Sequence, residues 1–228
     1  MMLFGGLQRC STIDFPGRLS CVLFARGCDL NCFYCHNRAL LNEGENLPME
    51  EIFSFLSNRI GKLDGVVVSG GEPTRQKGLA EFLHAVRDMG FVTKLDTNGQ
   101  HPDVVEALLA KNLLDYVAVD LKAENADYAW VCGKENGLRQ ALTTIEILRL
   151  HGVAYEGRTT LYPGLGMVGL VQLMQGLPPL PCYRLNTFRM PEDTRPEDAL
   201  LLRRTTLRET ELDAAKEDLK KLQPNVCW

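Results

Sequence analysis

The chain has 228 residues, of which 45% are hydrophobic and 24% charged, and its formal net charge is −4. This length and balance are ordinary for one soluble globular domain. The negative net charge argues against non-specific binding to nucleic acid or to an anionic membrane, so we expect neither as a partner.

The sequence indicates a cytoplasmic protein. Residues 1–10 lack a basic start followed by an apolar core, so we expect no signal peptide. No apolar run approaches the roughly 20 residues that cross a bilayer. Thiols stay reduced in the cytoplasm, and the eight cysteines of the chain therefore favour metal binding over disulfides.

Short apolar runs rich in β-formers alternate with amphipathic stretches along the chain. Strands are predicted at residues 19–25, 65–69, 92–96, 116–121, 153–161 and 183–188, and helices at 48–60, 79–89, 102–111, 136–151, 167–175 and 210–222. This alternation is typical of a parallel sheet covered by helices. Because a full eight-fold barrel takes about 250 residues, six units predict an α/β fold with a partial (β/α)6 barrel. We expect a single domain at 1–228, with its core at about 18–190 and a C-terminal helical extension at about 191–228.

A cysteine-rich loop follows the first predicted strand. It reads GCDLNCFYCHN and contains Cys28, Cys32 and Cys35. Thiolates are the soft ligands of iron–sulfur clusters, and three of them leave one iron of a four-iron cluster open for chemistry. The remaining cysteines are scattered and are interpreted as core or edge thiols: Cys10, Cys21, Cys132, Cys182 and Cys227.

Other interpretations of this loop stay open. Residues 32–36 match the c-type haem attachment pattern, which requires an exported protein. A structural zinc site with His36 as fourth ligand is conceivable, although Cys35 and His36 are adjacent and point in different directions. An electron-transfer cluster needs four cysteines, and the nearest further candidate, Cys21, lies inside the first strand.

Glycines and polar residues follow the later strands. They are Gly70, Gly71, Glu72 and Pro73 after the second strand, Asp96, Thr97 and Asn98 after the third, Asp120 and Lys122 after the fourth, Arg158 within the fifth and Asn186 in the sixth. Chemistry in barrels gathers at the carboxyl ends of the strands, so we expect these residues beside the cysteine loop. Turns, helix caps and surface ion pairs are the structural alternatives for each.

The spacing Cys-x3-Cys-x2-Cys, with an aromatic residue before the last cysteine, resembles the radical S-adenosylmethionine (SAM) superfamily. The continuation CHN at residues 35–37 and the segment IDFPG at 13–17 resemble a narrower group, the activating enzymes of glycyl radical enzymes. Within that group the chain is most similar to the activating proteins of anaerobic ribonucleoside-triphosphate reductase. The resemblance covers residues from about 5 to 190 and implies a partial barrel of the radical SAM type.

The resemblance also implies cofactors. Cys28, Cys32 and Cys35 would hold one [4Fe–4S] cluster, and the GGEP residues at 70–73 would contact the amino group of SAM. Asp96, Thr97 and Asp120 would hold a monovalent cation, Na⁺ or K⁺, beside the SAM carboxylate. The remaining implied SAM contacts are Tyr34, His36, Asp96, Asn98, Lys122, Arg158 and Asn186.

The same resemblance implies a reaction and partners. The cluster, reduced by a flavodoxin or ferredoxin, would cleave SAM and form a glycyl radical on a partner enzyme, with anaerobic ribonucleotide reductase expected. Asp14 would face the glycine loop of the partner, or would serve only as a cap or turn residue. The alternatives are a radical SAM enzyme that acts on a small molecule or peptide, and a non-enzymatic iron–sulfur or zinc protein.

Overall fold

A computed structural model describes residues 2–41 and 44–228. The predicted domain range 1–228 also includes residues 1, 42 and 43, which lie outside these ranges. In the described part of the chain, one sheet contains β1 (Phe4–Ser11), β2 (Ser20–Ala25), β3 (Gly65–Gly70), β4 (Val92–Thr97), β5 (Tyr116–Asp120), β6 (Ala154–Leu161), β7 (Tyr183–Thr187) and β8 (Val226–Cys227). The strands are ordered β1 to β8; β1 is antiparallel to β2, and all other neighbours are parallel.

The six strands predicted from the sequence correspond to β2–β7, and this confirms the partial barrel. Helices connect them: α1 (Met49–Ser57), α2 (Leu79–Asp88), α3 (Pro102–Ala110), α4 (Asn125–Cys132), α5 (Gly137–His151), α6 (Met167–Gln175), α7 (Ala199–Leu202), α8 (Glu209–Ala214) and α9 (Lys216–Leu222). Pro102 occupies the first turn of α3, where its missing N–H costs nothing. None of the helices within residues 2–41 and 44–228 is both long and apolar enough to cross a membrane.

Five elements differ from the prediction: β1, α4, α7 and β8 were not predicted, and the C-terminal helix is divided. The edge strand β1 was not predicted, because FGGLQRCS contains two glycines and no apolar run. Helix α4, NADYAWVC, has almost no amphipathic pattern, yet it lies against the cysteine loop. The helix predicted at 210–222 is interrupted at Ala215, which separates α8 from α9.

The amino end of the barrel is filled by a small apolar cluster. Phe15, from the hairpin between β1 and β2, packs with Val22 and Val67. Its ring centroid lies 6.0 Å from that of Tyr116 at the start of β5. The amino end of the barrel is therefore apolar around Phe15.

Candidate active site

A cavity of about 340 Å³ lies at the carboxyl ends of the strands. Ten of the residues predicted from the sequence line it: Cys28, Cys32, Tyr34, Cys35, His36, Gly70, Gly71, Asn98, Asp120 and Lys122. Thr160 from β6 and the segment 187–189 that follows β7 complete the wall. The cysteine loop and the ends of β3 to β7 thus meet in one place.

The cysteine loop is fastened to the end of β3 through glycine. The carbonyl of Gly27 accepts from the backbone N–H of Glu72 at 2.8 Å, and the N–H of Gly71 donates to the carbonyl of Ala25 at 2.8 Å. A Cβ on Gly71 would lie 2.1 Å from the carbonyl oxygen of Gly27, which is backbone and cannot move aside. Only glycine permits this close approach, so Gly71 sets the position of the loop.

Buried Arg38 ties the loop to the rest of the molecule. Its guanidinium donates to the carbonyl of Cys32 and, at 3.0 Å, to Asn31 Oδ1. It also lies 3.7 Å from the carboxylate of Asp198, in the segment that precedes α7. Arg38 was not among the site residues predicted from the sequence. It could have been found only as a charged residue directly after the cysteine motif.

All three cysteines of the loop are free thiols, as the cluster hypothesis requires. Burial raises the pKa of Cys28 to about 12 and also raises the pKa of Cys35. A hydrogen bond from Cys132, at the end of α4, lowers the pKa of Cys32. Iron binds the thiolate and displaces the proton, so soft ligands gathered around one cavity fit an iron–sulfur cluster. The contact between Cys132 and Cys32 was not expected, because Cys132 was interpreted from the sequence as a core or edge thiol.

Glu72 does not line the cavity. Its fully buried carboxylate accepts from the N–H of Thr74 at 3.0 Å, from Thr97 Oγ1 at 2.9 Å and from the N–H of Asn98 at 2.7 Å. Burial raises its pKa. The structure therefore places Glu72 as a brace between the ends of β3 and β4, with Pro73 buried beside it, rather than at the expected contact with an ammonium group.

Charged side chains fill the barrel between the apolar cluster and the cavity. We call Lys94, Asp96, Glu156 and Arg158 the interior charge cluster. Asp96 contacts Lys94 Nζ and, at 3.2 Å, Arg158 NH1, while Arg158 NH2 lies 2.5 Å from Glu156. Burial alone would raise the pKa of Asp96, but Lys94 and Arg158 hold it below its usual value. Arg158 is thus inward and paired, as expected for a buried cation, but neither it nor Asp96 lines the cavity.

Each of the residues expected to hold a monovalent cation has another side chain as its partner. Asp96 is paired as above, and Thr97 Oγ1 donates to Glu72. Asp120 instead accepts from Lys122 Nζ at 2.8 Å, at the cavity wall. Asp96 and Asp120 therefore each face the ammonium group of a lysine, Lys94 and Lys122, and do not leave an open position for the implied cation.

Asn98 and Tyr34 also line the cavity. Asn98 Nδ2 lies 3.7 Å from Cys28 Sγ and donates to Asp29 at 2.9 Å. Tyr34 stacks on Tyr162 with ring centroids 5.2 Å apart. Asn186 does not line the cavity, but it pairs in register with Thr160, which does.

Asp14 lies at the other end of the barrel. It belongs to the hairpin before β2, beside Phe15, and its carboxylate accepts from Ser11 Oγ at 2.5 Å. The cysteine loop follows β2, whose six residues extend about 20 Å. The structure therefore separates Asp14 from the cavity, and the turn interpretation accounts for its contacts.

Comparison with known proteins bears on this site. Residues 22–175 match the Radical SAM superfamily. A putative glycyl-radical enzyme activating enzyme of Methanocaldococcus jannaschii is 38% identical over 167 residues, which is 71% of this chain and 69% of that protein. The pyruvate formate-lyase 1-activating enzyme of Escherichia coli K12 is 32% identical over 130 residues, 52% of this chain. The match spans 51%, or about half, of the E. coli enzyme.

The fold has parallels among solved structures. The crystal structure of methylornithine synthase matches 90% of this chain and 63% of its own with a TM-score of 0.65. Its sequence is only 16% identical, so the likeness concerns the fold alone. The cavity with its three thiols lies within the segment that the superfamily match covers, apart from the wall at 187–189.

Proposed function

The chain belongs to the radical SAM superfamily and groups there with the glycyl-radical enzyme activating enzymes, and from this premise we propose that it cleaves SAM reductively to form a glycyl radical on a partner enzyme. The observation that carries the proposal is the meeting of three free thiols in one cavity with Lys122 and Asn98. The matched relatives support the glycyl radical enzyme as the class of partner.

Cys28, Cys32 and Cys35 would hold the [4Fe–4S] cluster, leaving one iron without a protein ligand. When bound, the cluster supplies the electron that divides SAM into methionine and a 5′-deoxyadenosyl radical. Lys122 places a positive charge at the cavity wall, suited to a carboxylate of the cofactor. Gly70 and Gly71 carry no side chain, so the backbone at the end of β3 can approach a ligand closely.

The proposal includes specific partners. Anaerobic ribonucleotide reductase is the proposed substrate, on the overall resemblance of residues from about 5 to 190 to its activating proteins. A flavodoxin or ferredoxin is the proposed electron donor, because an iron–sulfur cluster of this type reaches low reduction potentials. The stacked rings of Tyr34 and Tyr162 would keep water from a radical in the cavity.

The cleavage step has a direct test. The protein is reconstituted anaerobically with iron and sulfide, dithionite and SAM are added, and 5′-deoxyadenosine is measured by chromatography. We expect product from the wild type and from Cys10→Ala, since Cys10 is an exposed thiol on β1. Cys32→Ala should lose both the cluster absorbance and the product. A fully loaded wild type that forms no 5′-deoxyadenosine would refute the mechanism.

The partner has a separate test. The reduced protein and SAM are mixed with purified candidate glycyl radical enzymes, and the glycyl radical is recorded by electron paramagnetic resonance. A radical on anaerobic ribonucleotide reductase that depends on this protein is the expected result. Turnover of a small molecule or peptide, with no radical on any partner, would contradict the proposal and favour a different radical SAM activity.

A further inference from the structure

The contacts of the interior charge cluster do not match the binding site expected for a monovalent cation. The resemblance assigns a bound Na⁺ or K⁺ to Asp96, Thr97 and Asp120, whose carboxylates would otherwise repel an anionic group of the cofactor. In the structure, each of these side chains already has another partner. Groups of the protein itself must then neutralise the carboxylates in the barrel.

Lys94 lies against Asp96, one of the residues that the resemblance assigns to the cation. Its side chain is 0% exposed, and its ammonium contacts Asp96 Oδ1. The register of β4 with β5 pairs Lys94 with Tyr116, and its Nζ lies 5.7 Å from that ring centroid. A buried ammonium between a carboxylate and an aromatic face is fixed in place, and it is attached to the strand by its own side chain.

Counting charges gives the same result. Two carboxylates, Asp96 and Glu156, face two cations, the fully buried Lys94 and the partly buried Arg158. Arg184, which is 44% exposed, adds a further contact to Glu156 at 3.5 Å. A free monovalent cation placed against Asp96 would meet two fixed positive charges, and this repulsion opposes its binding.

We infer that Lys94 supplies from within the chain the positive charge that the resemblance assigns to Na⁺ or K⁺, so that this protein binds SAM without a monovalent cation. The part that concerns SAM rests on the proposed function. The part that concerns Lys94 and Asp96 concerns the protein alone, so the two can be tested separately.

The first experiment uses the cluster-free wild type. Thermal unfolding is followed in KCl, in NaCl and in tetramethylammonium chloride at equal ionic strength, since a cation that binds the folded state raises the melting temperature. We expect the three melting temperatures to agree within about 1 °C. A selective rise in KCl or NaCl would overturn the inference, whether or not the protein binds SAM.

The second experiment uses two variants of Lys94. Lys94→Ala removes the charge and opens a space beside Asp96, whereas Lys94→Met removes the charge but keeps most of the volume. We expect K⁺ or methylammonium to raise the melting temperature of Lys94→Ala and to leave Lys94→Met unchanged. A role in packing alone predicts no such rescue, so an Ala variant indifferent to both cations would contradict the inference.

The third experiment measures SAM binding to the reconstituted protein by equilibrium dialysis. The wild-type dissociation constant should change less than about twofold between tetramethylammonium and K⁺, whereas Lys94→Ala should bind about tenfold more tightly in K⁺, within the usual range of coupling between two sites. A wild type that needs K⁺ would overturn the inference. A wild type that binds no SAM under any condition would instead refute the proposed function, and the melting temperatures would still decide the role of Lys94.

Discussion

Two carboxylates on neighbouring strands, the fully buried Glu72 and the partly buried Asp96, are held in opposite ways. Within the described residues, the donors to Glu72, which follows β3, are neutral: the backbone N–H groups of Thr74 and Asn98 and the hydroxyl groups of Thr74 and Thr97. Asp96, in β4, contacts two cations instead. The pKa of Glu72 is raised by burial, whereas Lys94 and Arg158 outweigh burial and lower the pKa of Asp96.

The difference shows what each carboxylate does in this barrel. Neutral donors fix the direction of Glu72 and so join the turns after β3 and β4, but they do not compensate its charge. Fixed cations compensate Asp96 and keep it ionised in the middle of the barrel. Both carboxylates lie in polar sequence motifs. Their neighbours in space show that Glu72 joins two turns through hydrogen bonds, whereas Asp96 forms ion pairs.

The largest expected effect comes from removing a cation next to Asp96. Arg158→Met leaves Asp96 and Glu156 facing one cation fewer in a buried position, and breaking such a pair typically costs about 3–5 kcal/mol. Chemical denaturation measures the loss. Arg149→Met is the matched control, because its pair with Glu146 is exposed on α5 and screened by water, so the midpoint should not change. Equal effects of the two substitutions would show that the interior charge cluster contributes no more to stability than an exposed ion pair does.

A smaller effect is expected at Glu72. Thr97→Val removes the hydroxyl that donates to Glu72 at 2.9 Å and accepts from the N–H of Gly99 at 3.1 Å. Leaving buried groups without this partner should lower the free energy of unfolding by about 1–3 kcal/mol. Thr143→Val removes an exposed hydroxyl from α5 and should be neutral by the same denaturation measurement. A neutral Thr97→Val would mean that Glu72 does not depend on this donor.

The contributions of Asp96 and Glu72 to stability should change with pH in opposite directions. Because the folded-state pKa of Asp96 is depressed, its contribution to stability is present above the usual value of 3.8 and is lost as the pH falls through the depressed value. The advantage of the wild type over Asp96→Asn should therefore shrink on acidification. The folded-state pKa of Glu72 is raised, so the wild type should lose its advantage over Glu72→Gln as the pH rises above 4.5 through that raised value.

Each pKa unit of displacement corresponds to about 1.4 kcal/mol in these titrations of stability. Denaturation midpoints measured from acid to neutral pH for the wild type and the two variants provide the test. Slopes of the same sign for the two carboxylates would contradict the assignment of neutral donors to one and cations to the other.

Much of this arrangement could be predicted from the sequence. The apolar runs of the sequence predicted the six parallel strands β2–β7. The rule that chemistry gathers at strand ends predicted that the cysteine loop lies beside Asn98 and Lys122. These predictions depend on local patterns along the chain. Periodicity and motif spacing are therefore sufficient for the positions of the elements and of the cavity.

The partners of the two carboxylates could not be predicted in the same way. Lys94 interrupts an apolar strand and looks like a solvent-facing residue, yet the register with Tyr116 turns it into the barrel. Register between strands and the direction of side chains are decided by the packed whole, not by a single segment. The same holds for Cys132, whose contact with Cys32 depends on how α4 lies across the cysteine loop.

The smallest effect is expected at a third carboxylate, Asp14. It lies in the hairpin at the amino end of the barrel, where its backbone N–H donates to Ser11 Oγ at 3.1 Å, and it has no contact with the cavity. Asp14→Asn keeps the shape of the side chain, so 5′-deoxyadenosine formation without a partner should change by less than about twofold, in line with substitutions near a surface. A large fall in this partner-free reaction would show that the hairpin does act on the cavity. Intact cleavage combined with a lower glycyl radical yield would instead locate a partner contact at the hairpin, since only the transfer step would then depend on Asp14.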